Sequence, residues 1–220
     1  MAIQVDTRDC AALSDADLDE MANMGGAFDI GTVSKAKEDW VLSTVARADA
    51  ALHGFMFATL ERIGGTPCVL LGLLSVKRTS RRDQVLKGLM GEAYHRALMA
   101  FPDEDVVVGT KLIDAGGFNA FKGLADVCPQ PEHRTTGEER AWSRRLAKRF
   151  GAEGRIDDRT FIVTGDDSTP GVFDHEALKP ETIKADVAAY FEPLNHEKGD
   201  YLIAFGWAMA EDLAGDKLPK

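Results

Sequence analysis

Several features are scarce in this 220-residue chain. Cysteine occurs three times, at Cys10, Cys68 and Cys128, far apart and without a C-x-x-C pair. An odd, dispersed set excludes a disulfide scaffold and a thiolate zinc cluster, and makes a reducing cytoplasm the expected compartment. The histidines (His53, His95, His133, His175, His196) show no H-x-x-x-H spacing, so no metal is expected. No apolar run approaches the roughly 18–20 residues of a membrane-spanning helix. The stretch from Met1 to Ala12 lacks the charged-then-apolar pattern of a signal peptide, and no membrane partner is expected. Positive charge is short too: 26 Lys+Arg against 36 Asp+Glu leave a formal net charge of −10. That counts against a general nucleic-acid binder, whose phosphate contacts need a cationic surface. There is no P-loop, no dinucleotide fingerprint and no G-x-S-x-G elbow.

What is present is an ordinary globular mix, 45% apolar and 28% charged, long enough for one large domain. A strand is expected at Ile3 to Val5. Ser14 and Asp17 form a capping box for a helix ending at Gly25-Gly26. Ser34 can cap a second helix to about Ala50, with Trp40, Val41, Thr44, Val45 and Ala48 at helical spacing. Two strands, His53 to Arg62 and Thr66 to Val76, flank a turn at Gly64-Gly65-Thr66-Pro67. The second is apolar on both faces and reads as a central strand. A basic loop, Lys77 to Asp83, then feeds a helix from Val85 to about Ala100, followed by a strand at Val106 to Ile113 and a short helix at Asn119 to Leu124. Thr136 and Glu139 make a capping box for a basic helix to Phe150. Further strands are expected at 160–164 and 201–207, a loop at 166–170 and a helix at 181–191.

The basic loop is the informative constellation. A strand running into a helix N-terminus aims free backbone N–H groups and the positive end of the helix dipole at one point. Lys77, Arg78, Arg81 and Arg82 add cations there. Such a place suits a diphosphate; the plainer alternative is a solvated basic connection.

Taken with the order of elements from Ile3 to Val127, the loop resembles the GNAT superfamily of acyl-CoA-dependent N-acyltransferases. Val76-Lys77-Arg78-Thr79-Ser80-Arg81 matches the spacing of its V-x-P-x-x-R motif, with Arg78 at the proline. Arg82 to Met90 stands where R-G-x-G-I-G-x-x-L would be, with Asp83, Val85 and Lys87 at the glycines. The resemblance implies a mixed, mostly antiparallel α/β (α+β) sheet flanked by helices over 1–164, with a helical insertion at about 129–155 and an additional C-terminal α/β segment at 165–220. It also implies an acyl-CoA co-substrate, acetyl-CoA or a longer acyl-CoA. Glycine-poor loops of this kind are similar to those of members that make N-acyl amino acids or acyl-homoserine lactones. Contacts to CoA would come from Val76, Arg81, Arg82, Gln84, Val85, Leu86, Lys87, Gly88 and Asn119, the last also readable as a plain helix cap. The expected acceptor is a small-molecule or peptide amine, and a homodimer is possible by size.

Amine acylation needs a base and donors that polarise the thioester carbonyl. Glu61 is the first candidate base and Asp114 the second; each also reads as an ordinary hairpin or turn carboxylate. Tyr94 fits the edge of the core, His95 the surface, and Cys68 and Cys128 inert core thiols. The cations of the 136–150 helix read best as a solvated face. A non-catalytic ligand-sensing or protein-interaction module of the same fold is the rival reading.

Overall fold

The computed structural model describes residues 2–168, 173–174, 178–215 and 217–218. Its strands are Gln4–Asp9 (β1), Leu42–Ala48 (β2), Ala51–Ile63 (β3), Thr66–Val76 (β4), Val106–Leu112 (β5), Ala125–Cys128 (β6), Ile156–Asp157 (β7), Ile162–Val163 (β8) and Tyr201–Ala208 (β9). Its α-helices are Asp15–Ala22 (α1), Ile30–Asp39 (α2), Arg82–Ala100 (α3), Gly137–Arg149 (α4), Ala185–Ala188 (α5) and Ala210–Ala214 (α6). One mixed sheet runs β1-β2-β3-β4-β5-β9-β8-β7, with β6 also paired to β9. Among these strands, β4 and β5 pair in parallel and the other pairings are antiparallel.

Local chemistry explains most of these elements. Ser14 and Asp17 cap α1 reciprocally, and Thr136 and Glu139 do the same for α4. Gly64 and Gly65 take φ of 59° and 92°, the left-handed pair that a two-residue hairpin between β3 and β4 requires. Every residue of β4 from Pro67 to Val76 is buried, as a strand covered on both faces must be.

One expected element is corrected. The helix placed at Ser34 to Ala50 is instead α2, ending at Asp39, followed by β2. Asp29 caps α2 by accepting the Thr32 N–H at 2.7 Å, so Ser34 lies within the helix. From Leu42 on, Ser43, Thr44 and Val45 are all buried. A strand buried on both faces is apolar at every spacing, so its sequence mimics a helical period. Smaller differences follow the same boundary uncertainty. The turn after β5 is a 3-10 segment, Ala115–Phe121. The 181–191 stretch is broken into 3-10 turns around α5. The loop at 166–170 lies outside the described residues beyond Ser168.

Helix α3 covers one face of the sheet, joined there by the 115–121 turn and α6. Helices α1 and α2 cover the other face, and α4 packs beside them, its Leu146 against Gly109 of β5 and its Trp142 edge-on to Trp207 of β9. Leu71, Leu74 and Leu89 are fully buried between α3 and the sheet. Each contributes about 1.5–3 kcal/mol by leaving water. The 165–220 stretch supplies β9, which lies inside the sheet between β5 and β8.

Candidate active site

The parallel pairing of β4 and β5 lasts for three positions, from Cys68 opposite Val107 to Leu70 opposite Gly109. There β4 bulges: Met56 of β3 faces Leu74 and Ala58 faces Leu71, so one extra residue sits on β4. Gly72 makes the bulge possible, because a Cβ there would lie 2.3 Å from the Trp40 ring. Thr110 Oγ1 donates to Leu71 O at 2.8 Å, and beyond it the strands part. Backbone polar groups alternate sides along an antiparallel strand. Lys77 N–H turns to His53 O of β3 at 2.7 Å, whereas Leu74 O turns into the gap. Val76 shares Leu74's parity and faces the gap as well.

The gap is lined by the chain itself. An isolated parallel bridge joins Leu74 to Phe173, and Asp174 N–H donates to Leu74 O at 2.8 Å. The Asp174 carboxylate is buried, accepting from Ser75 Oγ at 2.6 Å and from Ala27 N–H at 3.2 Å. Residues 178–182 cross the mouth of α3. Leu178 packs on Gly116, Lys179 Nζ pairs with Asp83 at 2.7 Å, and Arg82 pairs with Glu181 at 3.5 Å. Lys179 holds the Asp83 carboxyl below its ordinary range. Asn119 Nδ2 donates to Lys179 O at 3.1 Å, and Thr182 Oγ1 donates to Asn119 Oδ1 at 3.1 Å. Asn119 therefore anchors this strap to the turn after β5.

The basic loop sits at the start of α3 as its sequence implies. Arg82 N–H bonds Thr79 O at 3.2 Å and Val85 N–H bonds Arg81 O at 3.0 Å. The first-turn N–H groups of Asp83 and Gln84 have no intrahelical acceptor. Arg81 is half-buried beside them, and Gln84 and Lys87 are exposed. Val85 and Leu86 turn their side chains into the core, Val85 beneath Gly54, and Gly88 lies against Val5 of β1. Leu86, Lys87 and Asn119 also line a cleft of about 190 Å³ with Met90 and Tyr94.

On the opposite face, α2 and α4 enclose a cavity of about 750 Å³ whose floor includes Leu73 of the bulge and Lys111 of β5. The Lys111 ammonium lies 5.4 Å from the Phe150 ring centre and 5.7 Å from that of Tyr201. Burial pushes it down to about 8. Lys35 pairs with Asp39 at 3.2 Å, Arg149 with Glu61 at 2.7 Å and Arg155 with Asp166 at 3.1 Å. Glu61 is thus held by Arg149, itself a residue of the cavity wall. Asp114 instead accepts Gly116 N–H at 2.7 Å and starts the 3-10 turn. Lys111 was not singled out in the sequence; its signal is a lone cation in Val106-Val107-Val108-Gly109-Thr110-Lys111-Leu112.

The remaining groups have structural partners. Tyr94 is buried with its hydroxyl 3.4 Å from Ala120 O, and burial pushes its pKa up; His95 is exposed. On α4, Arg144 pairs with Asp158, Lys148 with Glu153 and Arg149 with Glu61, while Arg145 stacks over Trp142. All three cysteines are free and buried, and burial raises Cys10 and Cys68 to about 11 and Cys128 to about 12. Among the described residues, no three His, Cys, Asp or Glu could hold a metal ion, and no helix is long and apolar enough to cross a membrane.

No family model matches the chain, and no curated protein matches it in sequence. Solved structures similar to it include aminoglycoside 6'-acetyltransferase type Ii, at 14% identity and TM-score 0.43, over 57% of this chain and 86% of that one. Escherichia coli ElaA is similar at 15% identity and TM-score 0.42, over 62% and 95%. A GNAT family acetyltransferase from Brucella melitensis, solved with acetyl-CoA, is similar at 20% identity and TM-score 0.37, over 54% and 82%. Each is a partial likeness of fold at low identity and does not speak for this chain's substrate.

Proposed function

We propose that the chain is an acyl-CoA-dependent N-acyltransferase that acylates a small-molecule amine by direct attack on the thioester. The observation that carries this reading is the gap between β4 and β5. It offers a stretch of β4 past Leu71 that β5 does not pair and that, on this edge, only Phe173 and Asp174 meet among the described residues, a cationic helix mouth at one end and a cavity on the opposite face. An acyl donor lying along Leu74 and Val76 would place its carbonyl against their main-chain N–H groups, which polarise it as the amine attacks. Its diphosphate would meet Arg81, Arg82 and the N–H groups of Asp83 and Gln84. The amine would come from the cavity floored by Leu73 and Lys111. Glu61, paired with the cavity-lining Arg149, is the proposed base, acting through water, while Asp114 is proposed to fix the turn. A donor can occupy the gap only when Phe173 and Asp174 leave it.

That last feature also favours a second reading, a non-catalytic module in which the strap holds the gap permanently. Calorimetric titration with acetyl-CoA, paired with a CoA-release assay across amines, separates the two. The enzyme reading expects binding and release, with Arg82→Glu weakening binding by at least about tenfold through charge reversal at the diphosphate. Absence of binding at millimolar acetyl-CoA refutes it, and binding without release selects the module.

A further inference from the structure

The cavity between α2 and α4 contains a cation that no carboxylate pairs among the described residues. Four cations reach it, and three are engaged: Lys35 by Asp39, Arg149 by Glu61 and Arg155 by Asp166. Lys111 has no carboxylate within ion-pair distance among the described residues. Its stem leaves the floor of the cavity between the rings of Phe150 and Tyr201. The cavity's other titratable groups come from several elements, beginning with Asp29, which caps α2 by accepting the Thr32 N–H. From α2 come Asp39 and Lys35, from α4 Arg149, from β9 Tyr201, and from the stretch after α4 Arg155 and Asp166. Asp39 and Asp166 favour the ammonium, but each lies closer to its own cation. Burial outweighs them. An ammonium partly withdrawn from water without a counter-ion costs the fold stability, and such costs concentrate at functional sites.

We propose that the cavity is a subsite for a small molecule bearing a carboxylate. Lys111 pairs the carboxylate, and Phe150, Tyr201, Trp40 and Leu73 pack the apolar body. A volume of about 750 Å³ is in the range of small-molecule sites. The inference rests on reading this cavity as the acceptor side of the sheet, and it narrows the acceptor to an amine that also carries a carboxylate. It argues against a polycationic acceptor, which Lys111 would repel.

The test omits the acyl donor, so it succeeds or fails separately from acyl transfer. Calorimetry on the full chain compares 3-phenylpropanoate with its neutral amide, 3-phenylpropanamide. The carboxylate is expected to bind at least about tenfold more tightly at neutral pH. That preference should vanish in Lys111→Met and persist in Lys111→Arg. The affinity for the carboxylate should fall as pH rises above about 8, where free Lys111 loses its proton, while that for the amide stays level. Thermal melting of Lys111→Met should match or exceed the wild type, which shows that lost binding is not lost folding. Equal affinities for the two probes, a preference surviving in Lys111→Met, or no binding of either probe at millimolar concentration would each overturn the proposal.

Discussion

At the scale of single residues, the most telling groups are those whose surroundings fix their charge. Asp17 is pulled down to about 2, first by hydrogen bonds from Ser14 and then by Arg8. Because its folded value is depressed, the stability it adds is complete above the ordinary carboxylate range, near 3.9. It disappears as pH falls through about 2. Thermal melts between pH 5 and about pH 2 should therefore show a stability loss in the wild type that Asp17→Asn flattens; parallel curves for the two proteins would contradict this. Removing the cap itself, Ser14→Ala, is expected to cost about 1 kcal/mol in urea denaturation. The thiols offer a complementary check. Buried and raised well above neutrality, the three should stay unreactive towards a disulfide reagent in the folded chain and all react once it is unfolded.

At the scale of elements, the β4 bulge depends on contact between a glycine and a ring. Gly72→Ala places a methyl group against Trp40 and should destabilise the fold by about 1–3 kcal/mol. The same substitution made together with Trp40→Leu should cost less. Simple additivity in that double-mutant cycle would mean that Trp40 is not what demands the glycine. How far the elements were legible in sequence follows from how local their causes are. The capping boxes at Ser14 and Thr136, the Gly64-Gly65 hairpin and the buried strand β4 all answer to neighbours a few residues away. The boundary between α2 and β2 was misread because burial on both faces erases the period that separates strand from helix. The basic loop was legible because its residues are consecutive. Lys111 was not, since its meaning comes from α2 and α4, which reach it from distant parts of the chain. The strap was invisible for the same reason: nothing near Phe173 or Asp174 announces a strand edge a hundred residues earlier.

At the scale of the whole molecule, that strap joins three parts of the fold. Asp174 ties the loop before α2 to β4, and Lys179 and Asn119 tie α3 to the turn after β5. If the gap receives an acyl donor, strap and donor compete for Leu74, and weakening one favours the other. Asp174→Ala should therefore lower thermal stability while raising the affinity for acetyl-CoA several-fold by calorimetry. A variant that loses stability with unchanged affinity would show that the strap and the donor do not share the edge.

The placement of β9 bears on synthesis. Val106 of β5 pairs with Ala208, so β5 waits about a hundred residues of synthesis for its inner partner. Until it arrives, β5 exposes a bare, strongly apolar margin to the crowded cell. A nascent chain stalled before residue 201 would be a natural client for chaperones, and premature stop codons in this region should yield aggregates rather than trimmed but working protein.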